Sequence, residues 1–562
     1  MTQRDRPGPV PADDADLAAR RRWFVLAIAA VIGILPLFPP GVEEDDAPDA
    51  FSNARAQHHI GWIAAAPHPM GSSENIRVRE QIADELESLG LVPEYQRLGA
   101  TDWFDPEGAP VDVVNVVARI AGTSPTGAVA VVGHFDTVPT TPGANDNASA
   151  VAVMLEAARI IATGDPPRND VIFVFTDGEE PAPRFGATAF VEHHRWSDDI
   201  GFVINLEAIG SGGPSMLVEV SGPASWVTEQ YLDAVPYPTT YSFLTELTGL
   251  IGGSNTDFAR FRDDGVPGVE MVYLRGSSIY HTMDDTPARV GSRSLYQHGA
   301  NTVALLRHVG EIDVTESPDG SAPVLITVGR GLVIQYPSWS ALGFVVAAGL
   351  AIGLSFTSIG EATRAAHDAL MALGRALGLA IAGSVIWVLL AAWRSTMGVA
   401  EGYLYLVALG VLVAVGAIAL DRARPSRRSP AGAATLWWFL AVAGIVVGPG
   451  ASSLFVWAAL YAGAALALRR WALSRTAVET AELLAIVSAV VLTIPAVDVF
   501  FQFAQPRPGN PESQITWTIV VSLLLIAVVI ELFRSLGDPI IDDPPAATAD
   551  RGDDDRATTG VL

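Results

Sequence analysis

The chain has 562 residues, 50% of them hydrophobic, and a mean hydropathy of +0.32, which excludes a wholly soluble protein and implies a membrane part beside at least one folded domain. Its 61 acidic residues against 35 basic ones give a net charge of -26, an unsuitable balance for a nucleic-acid partner. With no cysteine there are neither disulfides nor thiolate metal sites, and with no lysine every basic residue is arginine.

In chain order, a polar segment (1–22) ends in Arg20-Arg21-Arg22 directly before the apolar run Trp23 to Phe38. Pro36, Pro39, Pro40 and the acidic Glu43 to Asp46 follow, without a small-residue cleavage site, so the run over 23–40 reads as an uncleaved anchor with its arginine end in the cytoplasm. Residues 41–337 then form an extracytoplasmic domain. The absence of lysine and cysteine fits a bacterial, high-GC coding habit and sets the expectation of a bacterial plasma membrane.

Within that domain Arg77 to Leu91 carries Ile82, Leu86 and Leu89 at helical spacing and stops at Gly90. Val111 to Ile120 reads as a strand. Ala128 to Gly133 is an apolar run that ends in His134-Phe135-Asp136, and a Pro/Thr/Gly loop leads to Asp146-Asn147 and an alanine-rich helix, Ala148 to Ile161. Asn169 to Thr176 is a strand followed by Asp177-Gly178-Glu179-Glu180; Ile200 to Leu206 is followed by Glu207; Gly268 to Leu274 is followed, after a short loop, by Tyr280-His281. The alternation predicts an α/β domain with a mixed, largely parallel sheet flanked by helices. Two histidines and several carboxylates then stand just beyond strand ends, where ligands bind in open α/β sheets, and such a mixed nitrogen and oxygen set suits zinc or a similar divalent ion.

From Pro337 the character changes. Apolar runs at 339–356, 376–393, 403–420, 436–447, 453–468, 483–500 and 515–532 predict a seven-span domain over 338–534. The two short runs around Gly448-Pro449-Gly450 could be two spans, a re-entrant hairpin or one kinked helix. With two spans, Arg364, Arg375, Arg422, Arg424, Arg427, Arg428, Arg469, Arg470, Arg475 and Arg534 share the cytoplasmic side and only Arg394 and Arg507 lie outside, which favours that reading. The tail 535–562 has seven Asp against two Arg from Asp538 onward and is expected to be a disordered cytoplasmic segment. Within the spans Glu479, Glu482 and Asp498 fall near edges; this scarcity of charge favours an anchor over a transporter.

Taken singly, each candidate residue has a bland reading: a surface H-x-D, an N-cap aspartate at Asp146, a solvated turn at Glu179-Glu180. Together and in order they resemble the motifs of the two-zinc aminopeptidase family. The matching stretches are His134-x-Asp136, Gly143-Ala144-Asn145-Asp146-Asn147, Asp177-Gly178-Glu179-Glu180, Asn205-Leu206-Glu207-Ala208 and Tyr280-His281-Thr282. Pro67-His68-Pro69-Met70-Gly71-Ser72 and Asn255-Thr256-Asp257-Phe258 are similar to the membrane-anchored branch, the endoplasmic reticulum metallopeptidase type with its vacuolar and bacterial relatives. The resemblance covers about 51–289 closely and the helical part in layout only. It implies a zinc exopeptidase-like fold and two divalent metal ions bridged by Asp146, with His134 and Glu207 completing one site and Glu180 and His281 the other. It further implies Glu179 as general base, Tyr280 as oxyanion stabiliser and Asp136 as the residue orienting His134. A cis peptide, common in the family after the bridging aspartate, falls here at Asp146-Asn147. Many soluble members have Asp where this chain has Glu207, which leaves the identity of the ion less determined than its presence.

The implied activity is hydrolysis of peptide bonds, with removal of N-terminal residues foremost, a peptide substrate and a lipid bilayer as partners. A carboxypeptidase, dipeptidase or cyclotransferase on the same fold is the nearest rival, followed by a non-catalytic receptor or scaffold. His58, His59, His193 and His194 read as surface residues, and His68 as part of a shaped turn.

Overall fold

The computed structural model describes residues 12–43, 47, 49–100, 110–180, 184–393, 399–423, 429–505 and 515–537. The acidic tail from Asp538, and Arg394, Arg424, Arg427, Arg428 and Arg507, lie outside the described residues.

Seven strands form one sheet: β1 (Glu94–Ala100), β2 (Val111–Ile120), β3 (Ala128–His134), β4 (Asp170–Thr176), β5 (Ile200–Ala208), β6 (Met216–Ser221) and β7 (Gly268–Tyr273). Their order is β1-β2-β4-β3-β5-β7-β6, parallel from β4 through β3 and β5 to β7 and antiparallel at both edges. The central strands are buried along their whole length, as strands covered on both faces must be. Alternation divides them cleanly. Val129, Val131, Val171, Phe173 and Phe175 face one core, while Ala128, Ala130, Val132, Ile172 and Val174 face another. Full burial of one such valine contributes about 1.5–3 kcal/mol relative to leaving it exposed.

Helices follow in chain order: α1 (Ala12–Ile34), α2 (Asn53–Ile63), α3 (Ser73–Ser88), α4 (Ala148–Thr163), α5 (Phe185–His193), α6 (Ala224–Ala234), α7 (Ser242–Leu250), α8 (Phe258–Asp263) and α9 (Ser292–Glu311). The larger core lies under α2, α3, α4 and α9, the smaller under α5 and α8. Helix α3 is the one expected from Ile82 and Leu86, both fully buried; the side-chain oxygen of Ser72 accepts the Asn75 N–H at its start, and Gly90 with φ 78° lies just past its end.

A hairpin, β8 (Val324–Val328) and β9 (Leu332–Tyr336), leads to the helical half: α10 (Ser340–Gly353), α11 (Ile359–Trp393), α12 (Val399–Ala423), α13 (Pro430–Val447), α14 (Pro449–Arg470), α15 (Arg475–Phe503) and α16 (Ile515–Gly537). Helices match all seven expected runs. Six of them are long and apolar enough to cross a membrane; α10, with 14 residues, is shorter. The runs flanking Gly448 are two helices, not one kinked helix, because Gly448 breaks the backbone and Pro449 starts the next helix at its first position. Alanines do much of the packing: Ala369, Ala372, Ala376 and Ala380 of α11 recur every three to four residues and are buried.

The two halves touch through an apolar patch in which Met216, Val218, Tyr241, Phe243, Val272 and Leu274 meet Leu454, Ala496, Val499 and Phe500. Glu246 of α7 caps α14, accepting the Gly450 and Ala451 N–H groups at 2.6 and 2.8 Å. Two expectations are corrected in the α/β half: His59 and His194 are buried, not surface residues, the latter stacked on Phe190 with ring centroids 4.8 Å apart. Each sits on the inner side of its helix end, which polar neighbours in sequence conceal. His193 is exposed as expected.

Candidate active site

His134 is the last residue of β3, and Glu207 the penultimate residue of β5, so two neighbouring parallel strands deliver an imidazole and a carboxylate to one end of the sheet. Asp146 arrives between them two residues before α4, its peptide bond to Asn147 in the cis form, as expected. His134 Nε2 lies 3.4 Å from Asp146 Oδ1 and 3.7 Å from Glu207 Oε2. On the other side His281 Nε2 lies 3.3 Å from Asp146 Oδ2 and 2.8 Å from Glu180 Oε1. Each oxygen of one carboxylate thus faces a different histidine. Ligand atoms of His134, Asp146 and Glu207 lie within 4.8 Å of one another, and so do those of Asp146, Glu180 and His281. A third such group, His134, Glu179 and Glu180, puts Glu179 beside the space between the two. Tyr280 lies alongside, its ring stacked on that of His281 at 3.7 Å.

The turn after β4 is built for this. Gly178, at φ 70°, takes a left-handed conformation that leaves Glu179 and Glu180 at the strand exit. Their N–H groups both donate to the Asp136 carboxylate, at 3.1 Å each. Asp136 was expected to orient His134 with that carboxylate. It is instead the Asp136 main-chain oxygen that holds His134 Nδ1, at 3.0 Å, with Oδ1 farther off at 3.5 Å. One residue therefore fixes both the imidazole and the paired glutamates.

Asp285, outside the motifs, and Asn147 and Asp177, within them but given no role there, complete the support. Asp285 accepts the Asn145 and Asp146 N–H groups at 2.9 and 3.2 Å and the Asn145 amide at 2.7 Å, which pins the loop carrying Asp146. Asn147 Nδ2 donates to Glu207 Oε2 at 3.0 Å. Asp177 accepts from Val114 N and Asn75 Nδ2 at 2.8 and 2.9 Å. Four residues past His281 in sequence is the only sign that Asp285 gives; its partners are about 140 residues away. His68 is a shaped turn, as expected, fully buried with Nδ1 2.8 Å from Ala66 O.

Electrostatics show what the cluster lacks. Burial, reinforced by neighbouring carboxylates, raises Glu179 well above its ordinary value, raises Glu207, and pushes Glu180 up to about 7. Burial opposes charging the histidines, yet Glu207 and its neighbours hold His134 well above its usual range and Asp146 with Glu180 lift His281 to about 10. These glutamates and both histidines bind protons more tightly, as expected where buried negative charge is uncompensated, whereas Asp146, despite its burial, is held well below the usual carboxylate range by His134 and His281. Asp146 Oδ2 and Glu207 Oε1 are buried without a hydrogen-bond partner. Two histidines, buried carboxylates and orphaned oxygens all fit divalent cations.

An α/β sheet with a buried cluster of histidines and carboxylates at the carboxyl ends of its strands has the ligand types of a divalent-metal site. The model of peptidase family M28 matches residues 115–306, within the α/β half. The chain is 30% identical over 319 residues to endoplasmic reticulum metallopeptidase 1 of Mus musculus, covering 51% of this chain and 34% of that protein. It is 29% identical over 324 residues to the vacuolar membrane protease of Yarrowia lipolytica, covering 53% and 32%. The chain thus spans about a third of the length of these relatives. Among solved structures it is similar to a zinc aminopeptidase from Bacillus subtilis at 16% identity and a TM-score of 0.39, over 48% of this chain and 98% of that one.

These relatives correct the expected location. Both are eukaryotic proteins named for internal membranes, the endoplasmic reticulum and the vacuole, which points away from a bacterial plasma membrane. Missing lysine and cysteine report a coding habit, and such a habit does not specify a membrane.

Proposed function

We propose that this chain is a membrane-anchored two-metal exopeptidase that removes N-terminal residues from peptides, with zinc as its ion and its site on the face of the membrane opposite the arginine-rich helix ends. The observation that carries the reading is Asp146, whose two oxygens face His134 and His281 at 3.4 and 3.3 Å and so join two ligand groups through one side chain. His134 and Glu207 would hold one ion, Glu180 and His281 the other, with Asp146 shared. When bound, the ions would supply Lewis-acid polarisation of the scissile carbonyl and of the attacking water.

The remaining steps belong to the protein's own groups. Glu179, raised well above its ordinary value by burial and by Glu180, is suited to accept a proton from water and return it to the leaving amine. Glu180, beside it, is held by His281 at 2.8 Å and so is committed to the ligand set. Tyr280, stacked on His281, would steady the oxyanion through its hydroxyl. Asp136 keeps the two glutamates and His134 in register.

The test is hydrolysis of matched peptides with free and blocked N-termini by the purified chain. Cleavage of the free peptide alone supports an aminopeptidase; cleavage from the carboxyl end, or ring closure of an N-terminal glutamine, identifies one of the rival activities.

A further inference from the structure

The loop that carries Tyr280 and His281 has little of the sheet to hold it. It leaves β7 at Tyr273; Arg275 exchanges main-chain hydrogen bonds with Gly212 at 2.8 and 3.0 Å and the Thr140 hydroxyl donates to the His281 main-chain oxygen at 3.0 Å, while further partners of residues 275–277 come from the helical half. Gln502, near the end of α15, accepts the Gly276 N–H on Oε1 at 2.9 Å. The Ser277 hydroxyl donates to the Gln502 main-chain oxygen. Arg275 pairs with Asp498, one turn earlier on α15, at 3.1 Å, with both side chains only 9% exposed. Gln502 Nε2 donates to the Tyr403 hydroxyl at 3.0 Å and to Asp498 Oδ1 at 3.2 Å, and that hydroxyl donates in turn to Asp498. The Arg275 guanidinium also lies 5.2 Å from the Tyr403 ring and 5.3 Å from the Phe38 ring.

Three parts of the helical half thus converge on residues 275–277: the segment after α1, α12 and α15. From there a single 3-10 turn, Ser277–Ile279, reaches Tyr280 and His281. A backbone gripped at 275–277 by buried, mutually bonded groups leaves its next turn little freedom. Another polar bridge between the halves, Glu246 on the start of α14, holds α7 and no site residue.

We propose that Gln502, with Asp498 and Tyr403, forms a clamp by which the helical half positions His281 and Tyr280, so that the membrane helices are part of the active site as well as its anchor. This rests on the metallopeptidase reading above. Gln502 and Asp498 are positioning residues in it; neither is placed against substrate or ion.

The test uses the full chain in lipid nanodiscs, with kcat and KM on a free-amino peptide, retention of zinc against a chelator, and hydrogen exchange of the amides of residues 274–283. Gln502→Ala should lower kcat roughly 10- to 100-fold, the range for partners that orient a metal ligand, while releasing zinc faster and speeding exchange in 274–283. Glu246→Gln, at the same interface but away from the loop, should leave kcat and that exchange unchanged. Should Gln502→Ala not accumulate folded, Tyr403→Phe carries the test on the same readouts, with a smaller fall expected. Wild-type kcat and exchange in the variant, or an equal loss in Glu246→Gln, would overturn the clamp alone. A wild-type chain that holds no divalent ion and cleaves no peptide would overturn the reading beneath it, and is seen before any variant is made.

Discussion

The strand-exit cluster of the α/β half and the helical half bury charge in opposite ways, although elsewhere in the α/β half Glu156, Asp170 and Glu219 are paired with arginines. In the former, Asp136, Asp146, Glu179, Glu180 and Glu207 are gathered at one end of the sheet, buried, with no arginine among their hydrogen-bond or ion-pair partners within the described residues. In the latter, each buried acid among the described residues has an arginine: Glu482 with Arg22 and Arg469, Glu531 with Arg375, and Asp498 with Arg275. A buried charge must be paired or coordinate an ion. The helical half meets that demand internally or through one contact with its neighbour, whereas the strand-exit cluster leaves it open to cations.

The sharpest way to break this contrast is at the paired glutamates. Glu179→Gln should cut peptide turnover by about 100- to 10,000-fold with its metal retained, since an amide of the same shape cannot take the proton; Glu180→Ala should lose metal as well as turnover. Elemental analysis beside hydrolysis rates reads both, and the reverse pattern would exchange their roles.

Packing offers a second cut. Phe173 is fully buried in the sheet's larger core, and Phe173→Ala should destabilise the α/β half by about 3–5 kcal/mol, read as earlier thermal loss of bound metal. In the helical half the sensitive direction is the opposite one, towards larger side chains. A Cβ on Gly444 would stand 2.6 Å from the Ser452 backbone where α13 passes α14, so Gly444→Leu should cost about 1–3 kcal/mol in thermal unfolding while kcat of the folded fraction is unchanged.

The smallest effect expected is on pH dependence. Burial pushes Glu270 up to about 8, well above its unfolded value near 4.5, so its contribution to stability is full below that unfolded value and is lost as pH rises towards 8. Glu270→Gln, which keeps the neutral shape, should flatten the fall in stability of the purified chain between those limits. An unchanged slope would mean that the group does not titrate there.

Much of the site was legible because its residues stand at the ends of short apolar strands, and strand exits are local features. The run Ala128 to Gly133 ending in His134 announced both β3 and an imidazole at its exit. What could not be read were partners at long range. Asp285, which pins Asn145 and Asp146, and Asn147, which holds Glu207, act across 140 and 60 residues. Asp498 looked like a charge near a span edge and an argument for mere anchorage, because Arg275 lies 223 residues before it. The edge strand β1 was missed for a related reason: pairing on one side only leaves Glu94–Ala100 with alternating half-exposed residues and no apolar run.

The central claim is that Asp146 joins two ion sites, and counting ions per chain addresses it most directly. Purified full-length protein equilibrated with zinc should carry close to two ions, Glu180→Ala close to one, and Asp146→Ala fewer than one, because both groups lose a ligand at once. A wild-type chain that takes up no zinc, or an Asp146→Ala chain that keeps the wild-type count, would contradict it.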